Sequence, residues 1–589
     1  MIRAALFACC VLSICCRLAL AQAADPVAPG VALHVLLDAE WERQLRDQPE
    51  TATYLGDTRY DEVWTDLSLD AIASREAAER EVLQRLKAIP RDRLANAERV
   101  QYDSFLWLLQ GRVDRQAYRE YLLPIDHQGG PQTADGIAEV MPFRNAADYG
   151  RYLKRLEALP RVLDQVRLLL QEGLKAGHLP PRVLMERVPA QFAAQQVTDP
   201  AASPFYRPFK RMPLAMAESE QAALRAEAQV LIRDRLIPAY RELGAFFTAE
   251  YLPRTRRSIA ASEGAGGAAY YNFLARDYTT TTLSGEQIHA IGLGEVARLR
   301  AVMEKIKEET GFKGDLAAFF AFLRSDPRFF HTTPAALLDA YRATAKRIDP
   351  ELVKVFKTIP RLPYGVRPIP DNIAPDTTTA YYQGGAMDGT RPGYYYVNLY
   401  KPEVRPSWEM LPLSLHEAVP GHHFQISRAQ EMQAAPAMLR NADFVAYGEG
   451  WALYAELLGY DMDLYDDPYD RFGQVTYEMW RAVRLVVDTG MHLKGWSREQ
   501  AIAYFRAHTP KTDQDIVNEV DRYIGTPGQA LAYKIGQMKI SELRERARTK
   551  LGARFDLREF NDAVLATGSV PLVALEAHID GWILEMGGK

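Results

Sequence analysis

Cysteine is nearly missing from this chain of 589 residues: Cys9, Cys10, Cys15 and Cys16 all sit in its first sixteen positions. The remainder has no thiol, which excludes disulfides, thiolate metal ligands and a cysteine nucleophile there. A basic block is missing too. The formal net charge is −5, so neither nucleic acid nor an anionic membrane surface is expected as a partner. There is no internal repeat and no low-complexity tract. The glycine-rich stretch Ser262 to Tyr271 lacks the spacing of a phosphate cradle, so it carries no nucleotide role. The apolar run Ala4 to Cys16 is too short to span a bilayer comfortably.

That run has the form of a secretion signal. Arg3 precedes it, and Ala19-Leu20-Ala21 and Ala21-Gln22-Ala23 offer small-residue cleavage sites. Residues 1–23 are therefore expected to be a signal peptide. The mature protein would work in a bacterial periplasm or outside the cell, without stable membrane insertion. The whole chain is 48% hydrophobic, an ordinary globular composition. It divides into an N-terminal helical region, 24–260, and a metal-binding catalytic region, 261–589. These are either separate or one intertwined domain.

Helical periodicity dominates. Asp70 to Ala88, Ala146 to Ala176 and Ala215 to Phe247 carry apolar residues at three- and four-residue steps. Ser284 reads as a helix cap. Tyr364 to Tyr400 differs: its Pro, Gly, Thr and Tyr content predicts short strands joined by turns. His127, in the loop Ile125 to Pro131, reads as a turn residue. Thr526 and Pro527 read as the N-cap and first residue of a late helix. The expected fold is mainly α, with a deep cleft and a small β-sheet beside the metal helix.

What the chain does have is a polar cluster in an apolar setting. Three of its eleven histidines fall in His416-Glu417-Ala418-Val419-Pro420-Gly421-His422-His423. A His-Glu-x-x-His motif places both imidazoles on one helical face, roughly 6 Å apart along the axis. Here the fourth position after His416 is Pro420 instead. On a straight helix His422 would point about 120° away, and His423 would lie about 10.5 Å further along. Pro420 breaks the helix and Gly421 tolerates a bulge, which lets His422 take the second ligand position. His423 is the alternative ligand, or a group supporting the site. Glu417 is placed to accept a proton from an activated water. Downstream, Glu449 and Glu456 are seven residues apart in an apolar helix, hence on one face. One completes the ligands and the other orients a ligand histidine.

The chain as a whole resembles a bacterial family catalogued as domain of unknown function 885. The resemblance rests on His416 to His423, Gly448 to Glu456, Val487-Asp488-Thr489-Gly490 with His492 and Trp496, and Pro527 to Gly536. Members of that family look like relatives of the helical, glutamate-type zinc metallopeptidases. The resemblance implies a helical zincin-like fold, a Zn2+ cofactor and Glu449 as third ligand. It also implies Tyr533, on a late helix, as the donor to a developing oxyanion, with His492 as second candidate. Lys534 or Arg484 would hold a substrate carboxylate.

The expected activity is zinc-dependent hydrolysis of oligopeptides by metal-activated water. The substrate is a peptide or another small amide. Two other readings stand beside it. One is a zinc hydrolase of non-peptide amides or esters; the other is a non-catalytic protein with a structural metal.

Overall fold

The computed structural model describes residues 28–370, 374, 378–385, 391–432 and 435–588. The expected signal peptide, with all four cysteines, lies outside the described residues. The fold is mainly helical with one small sheet.

Eight helices and three strands position the cleft. They are α1 (Ala146–Ala176), α2 (Gly285–Glu309), β1 (Tyr364–Pro368), β2 (Ala380–Gln383), β3 (Gly393–Val397), α3 (Met410–Glu417) and α4 (His422–Gln430). After them come α5 (Val445–Asp461), α6 (Pro468–Leu493), α7 (Asp513–Gly525) and α8 (Ala532–Leu551). The bounds of α1 coincide with the periodic stretch, and Asn145 caps it through Asp148 N–H. Ser284 caps α2 in a reciprocal box with Gln287. The late helix starts differently from the expectation. Thr526 closes α7, Gly528 takes a left-handed turn, and one 3-10 turn leads into α8 at Ala532. Thr526-Pro527 is therefore not the cap of that helix.

Helix α6 is the axis of the fold. Every residue from Phe472 to His492 is buried, so its polar groups must find partners inside the protein. Lys534, on α8, answers Glu478 at 2.6 Å and Glu295 of α2 at 2.9 Å. Helix α2 packs along α6, close enough that a Cβ on Gly292 would stand 2.7 Å from Leu485 Cβ. The boundary expected near residue 260 is crossed by one apolar cluster running from Ile125 to Ala530.

The sheet has the order β1-β3-β2, with β1 parallel and β2 antiparallel to β3. Gly393, Tyr395 and Val397 of β3 face the core. Tyr394 and Tyr396 alternate to the other face, where Tyr396 stacks on Tyr381 and Arg367 lies over Tyr394.

Helices α5 and α8 touch backbone to backbone. A Cβ on Gly536 would stand 1.9 Å from the Ala446 carbonyl oxygen, and one on Gly450 would stand 2.5 Å from Gly536 Cα. Gly536→Ala should therefore destabilise the protein by about 2 kcal/mol or more. Gly294→Ala, where nothing lies within 4 Å, should stabilise by up to about 1 kcal/mol. Chemical denaturation of the two variants checks the contrast.

Candidate metal centre

Helix α3 stops at Glu417, and α4 begins at His422. Between them the chain makes a bend through Ala418, Val419, Pro420 and Gly421, with a cis Val419-Pro420 bond. The bend admits only glycine at its end: a Cβ on Gly421 would stand 1.8 Å from the His416 carbonyl oxygen. Trp451 of α5 ties the bend down by donating its indole N–H to the Pro420 carbonyl at 2.8 Å. The helix that holds this tie also carries Glu449 and Glu456, one on either side of it.

The bend brings three side chains together. Donor atoms of His416, His422 and Glu449 all lie within 4.8 Å of one another. Glu449 Oε2 is 3.5 Å from His416 Nε2 and 3.4 Å from His422 Nε2, and among the described residues it has no hydrogen-bond partner. The two imidazole rings stand nearly perpendicular, with centroids 4.9 Å apart. On its far side, His416 Nδ1 meets Glu456 Oε1 at 2.9 Å, fully buried. Burial disfavours a charged His416, but Glu449 and Glu456 outweigh it and push the imidazole up to about 9. Burial likewise opposes ionisation of Glu449, and the His422 and His416 imidazoles overcome it, holding the carboxyl well below its ordinary range. The place is thus built to favour positive charge.

His423 stands apart from this group. Its Nδ1 meets the Tyr382 hydroxyl at 2.9 Å, and its Nε2 meets the Leu362 carbonyl at 3.1 Å. Both nitrogens are engaged, and burial lowers the imidazole to about 4. It fastens α4 to the sheet rather than competing as a ligand. His492 is also remote. The Ala261 N–H donates to its Nδ1 and its Nε2 meets the Tyr523 carbonyl, both at 3.0 Å, with the ring fully buried. It does not line the cleft, so the expected oxyanion role gives way to a structural one. Lys534 is 1% exposed and spent on Glu478 and Glu295. It is not available to a substrate.

A cleft of about 2000 Å³ opens over the centre. His416, Glu417, His422, Glu449, Arg484 and Tyr533 line it. Burial, then the nearby Glu449 carboxylate, raises the Tyr533 phenol above its ordinary value, so it stays a proton donor. Strand β2 and residues 53–58, from the N-terminal half, also line the cleft. Among the lining groups that sequence reasoning did not name as site residues are Arg481, Arg522 and His127. Arg481 opens the stretch that reads as helical around Arg484, and His127 sits in a loop whose turn reading hid its place.

Residues 49–579 match the family described as "Bacterial protein of unknown function (DUF885)". The chain belongs to this family. No curated protein matches it. Among solved structures it is similar to a candidate lipoprotein from Colwellia psychrerythraea, at 27% identity and TM-score 0.90, over 95% of this chain and all of that one. A candidate lipoprotein of unknown function from Shewanella oneidensis is similar at 16% identity and TM-score 0.68, over 92% and 98% of the two chains. That second likeness shows the fold alone. A carboxypeptidase from Pyrococcus furiosus reaches a TM-score of only 0.34 at 12% identity, covering 87% and 98%. This is too slight to support any argument. No helix among the described residues is long and apolar enough to cross a membrane.

Trp451→Phe should leave the ring contacts with Phe356 and Tyr454 in place but strand the Pro420 carbonyl without its donor. The expected cost is about 1–3 kcal/mol, measured by denaturant unfolding against the parent.

Proposed function

We propose that the chain is a zinc-dependent hydrolase of peptide bonds. One observation carries the reading: the spacing of Glu449 Oε2 from the two imidazoles, 3.4 and 3.5 Å. That is too long for good hydrogen bonds. It suits ligands that share an ion, because two atoms each about 2.1 Å from one tetrahedral zinc lie about 3.4 Å apart. His416, His422 and Glu449 would hold the ion, and Glu456 would orient His416 through its other nitrogen. Three protein ligands leave a coordination position open, which favours a catalytic over a structural site.

When bound, zinc supplies Lewis acidity, making a water a stronger nucleophile and polarising the scissile carbonyl. The chain supplies the remainder. Glu417, next to His416 and lining the cleft, accepts the proton of the attacking water and returns it to the leaving nitrogen. Tyr533 donates its phenolic hydrogen to the carbonyl oxygen as negative charge develops there. Water adds across the amide, giving a carboxylate and an amine. Strand β2, an outer strand of the sheet that lines the cleft, pairs on its outer edge with no strand among the described residues, which suits it to pairing with an extended peptide. This favours peptides over compact small amides. The signal-like start, with the lipoprotein character given to the similar Colwellia structure, supports action in the cell envelope.

Glu417→Gln should keep zinc and lose about 10²–10⁴-fold in kcat. Glu449→Ala should lose the metal itself, read by elemental analysis of the purified protein. Hydrolysis of a mixed peptide library should stop with a chelator and return with zinc. Full activity in both variants would refute the assignment. Turnover of small amides and esters with no turnover of peptides would move the reading to a non-peptide hydrolase.

A further inference from the structure

The wall of the cleft beside Tyr533 carries three arginines, two of them with a buried donor that nothing among the described residues answers. Arg481 and Arg484 lie three residues apart on α6, about 4.5 Å along its axis, and each is only 6% exposed. Arg522 joins them from α7, and all three line the cleft. Arg484 donates from Nε to the Tyr523 hydroxyl at 2.7 Å and from Nη2 to Glu519 at 2.8 Å, while its buried Nη1 has no partner. Arg481 donates from Nη1 to the Tyr477 carbonyl at 3.3 Å, and its buried Nε has no partner. Arg522 shares Glu519 at 3.0 Å and donates to Gln529 at 2.6 Å.

No carboxylate is dedicated to any one of these guanidinium groups. Glu519 serves both Arg484 and Arg522. Arg481 has Glu456 at 3.9 Å, but that carboxylate already holds His416 at 2.9 Å. Asp515, also on the wall, accepts from the Thr512 hydroxyl and pairs with none of the three arginines. A buried guanidinium without an anion is costly, and arginine is the side chain best shaped to grip a carboxylate through two parallel bonds. This is a local feature, since the chain as a whole is net negative. Among the described residues every side-chain cation lining the cleft, histidine apart, is arginine.

The wall is also close to the centre. The Tyr533 ring lies 4.3 Å from Arg484 Cζ and 6.0 Å from Arg481 Cζ. Arg481 is linked through Glu456 to His416. A carboxylate held here sits within a residue or two of the bond placed over the metal centre. Resting on the hydrolase reading above, we infer that Arg481, Arg484 and Arg522 form a subsite for the free C-terminal carboxylate of a peptide. The enzyme then releases one or two residues from that end.

The test uses the full-length protein with three N-blocked peptides: one with a free C-terminal acid, its C-terminal amide, and an amide carrying Asp at the last position. The free acid should be cut with a kcat/KM about 100-fold or more above the plain amide. Mass spectrometry should show loss of one or two C-terminal residues. Arg484→Met should pull the acid down to the level of the amide, and Arg484→Lys should restore part of the preference. Equal cleavage of acid and amide by the parent protein, which needs no variant to fold, would overturn the subsite and leave the hydrolase reading standing. Cleavage of the Asp amide as fast as the free acid would overturn the terminal-carboxylate assignment in favour of acidic side chains. Calorimetry separates the two readings. Acid binding at least tenfold tighter than amide in Glu417→Gln, with no peptide cut by the parent, would keep the subsite and sink the hydrolase. No binding preference, with no peptide cut by the parent, would end both.

Discussion

A carboxylate pair on one buried helix draws two histidines from either side of a chain bend to a single point. Glu456 holds His416 from behind and Glu449 meets it from the front, together with His422. The two acids are two turns apart on α5, so a rigid helix sets the distance between them. The imidazoles have no such scaffold. Their positions depend on the bend at Ala418 to Gly421, and the bend in turn depends on the Trp451 tie to Pro420. One helix therefore fixes Glu449, Glu456 and the turn that presents His422.

The rest of the fold serves to keep that helix in place. Glycines at 450 and 536 let α8 approach α5 at backbone distance, which brings Tyr533 toward Glu449. Behind it, α6 supplies a buried row of charges. Lys534 and Arg298 neutralise Glu478 and Glu295, whereas Arg481 and Arg484 retain donors without acceptors.

Local patterns showed much of this, and contacts between distant segments account for what they missed. The helix at 146–176 was legible because its apolar spacing is unbroken over eight turns. The strands of 364–397 were legible from their tyrosines and turn residues, and the bend from Pro420 and Gly421. Arg484, Asp488 and His492 stand at four-residue steps, which by spacing alone puts them in a stripe along one side of a helix. The helix carrying them is buried on all sides, so the stripe does not face a single environment. His492 turns to the Tyr523 and Ala261 backbones, while Asp488 accepts from Tyr271 and Gly528. Lys534 follows Tyr533 directly, yet the next residue of a helix points about 100° away, into the core. His127 and Arg522 reach the cleft only because the N-terminal half and α7 fold over it, which no local spacing reveals.

The central claim is that His416, His422 and Glu449 bind one ion between them. Crystals of the full chain grown with zinc, measured on both sides of the zinc absorption edge, test it most directly. The account predicts one anomalous peak bonded to His416 Nε2, His422 Nε2 and Glu449 Oε2, with Glu456 still on His416 Nδ1. A peak on His423 instead, or no peak among these three side chains at saturating zinc, would contradict it.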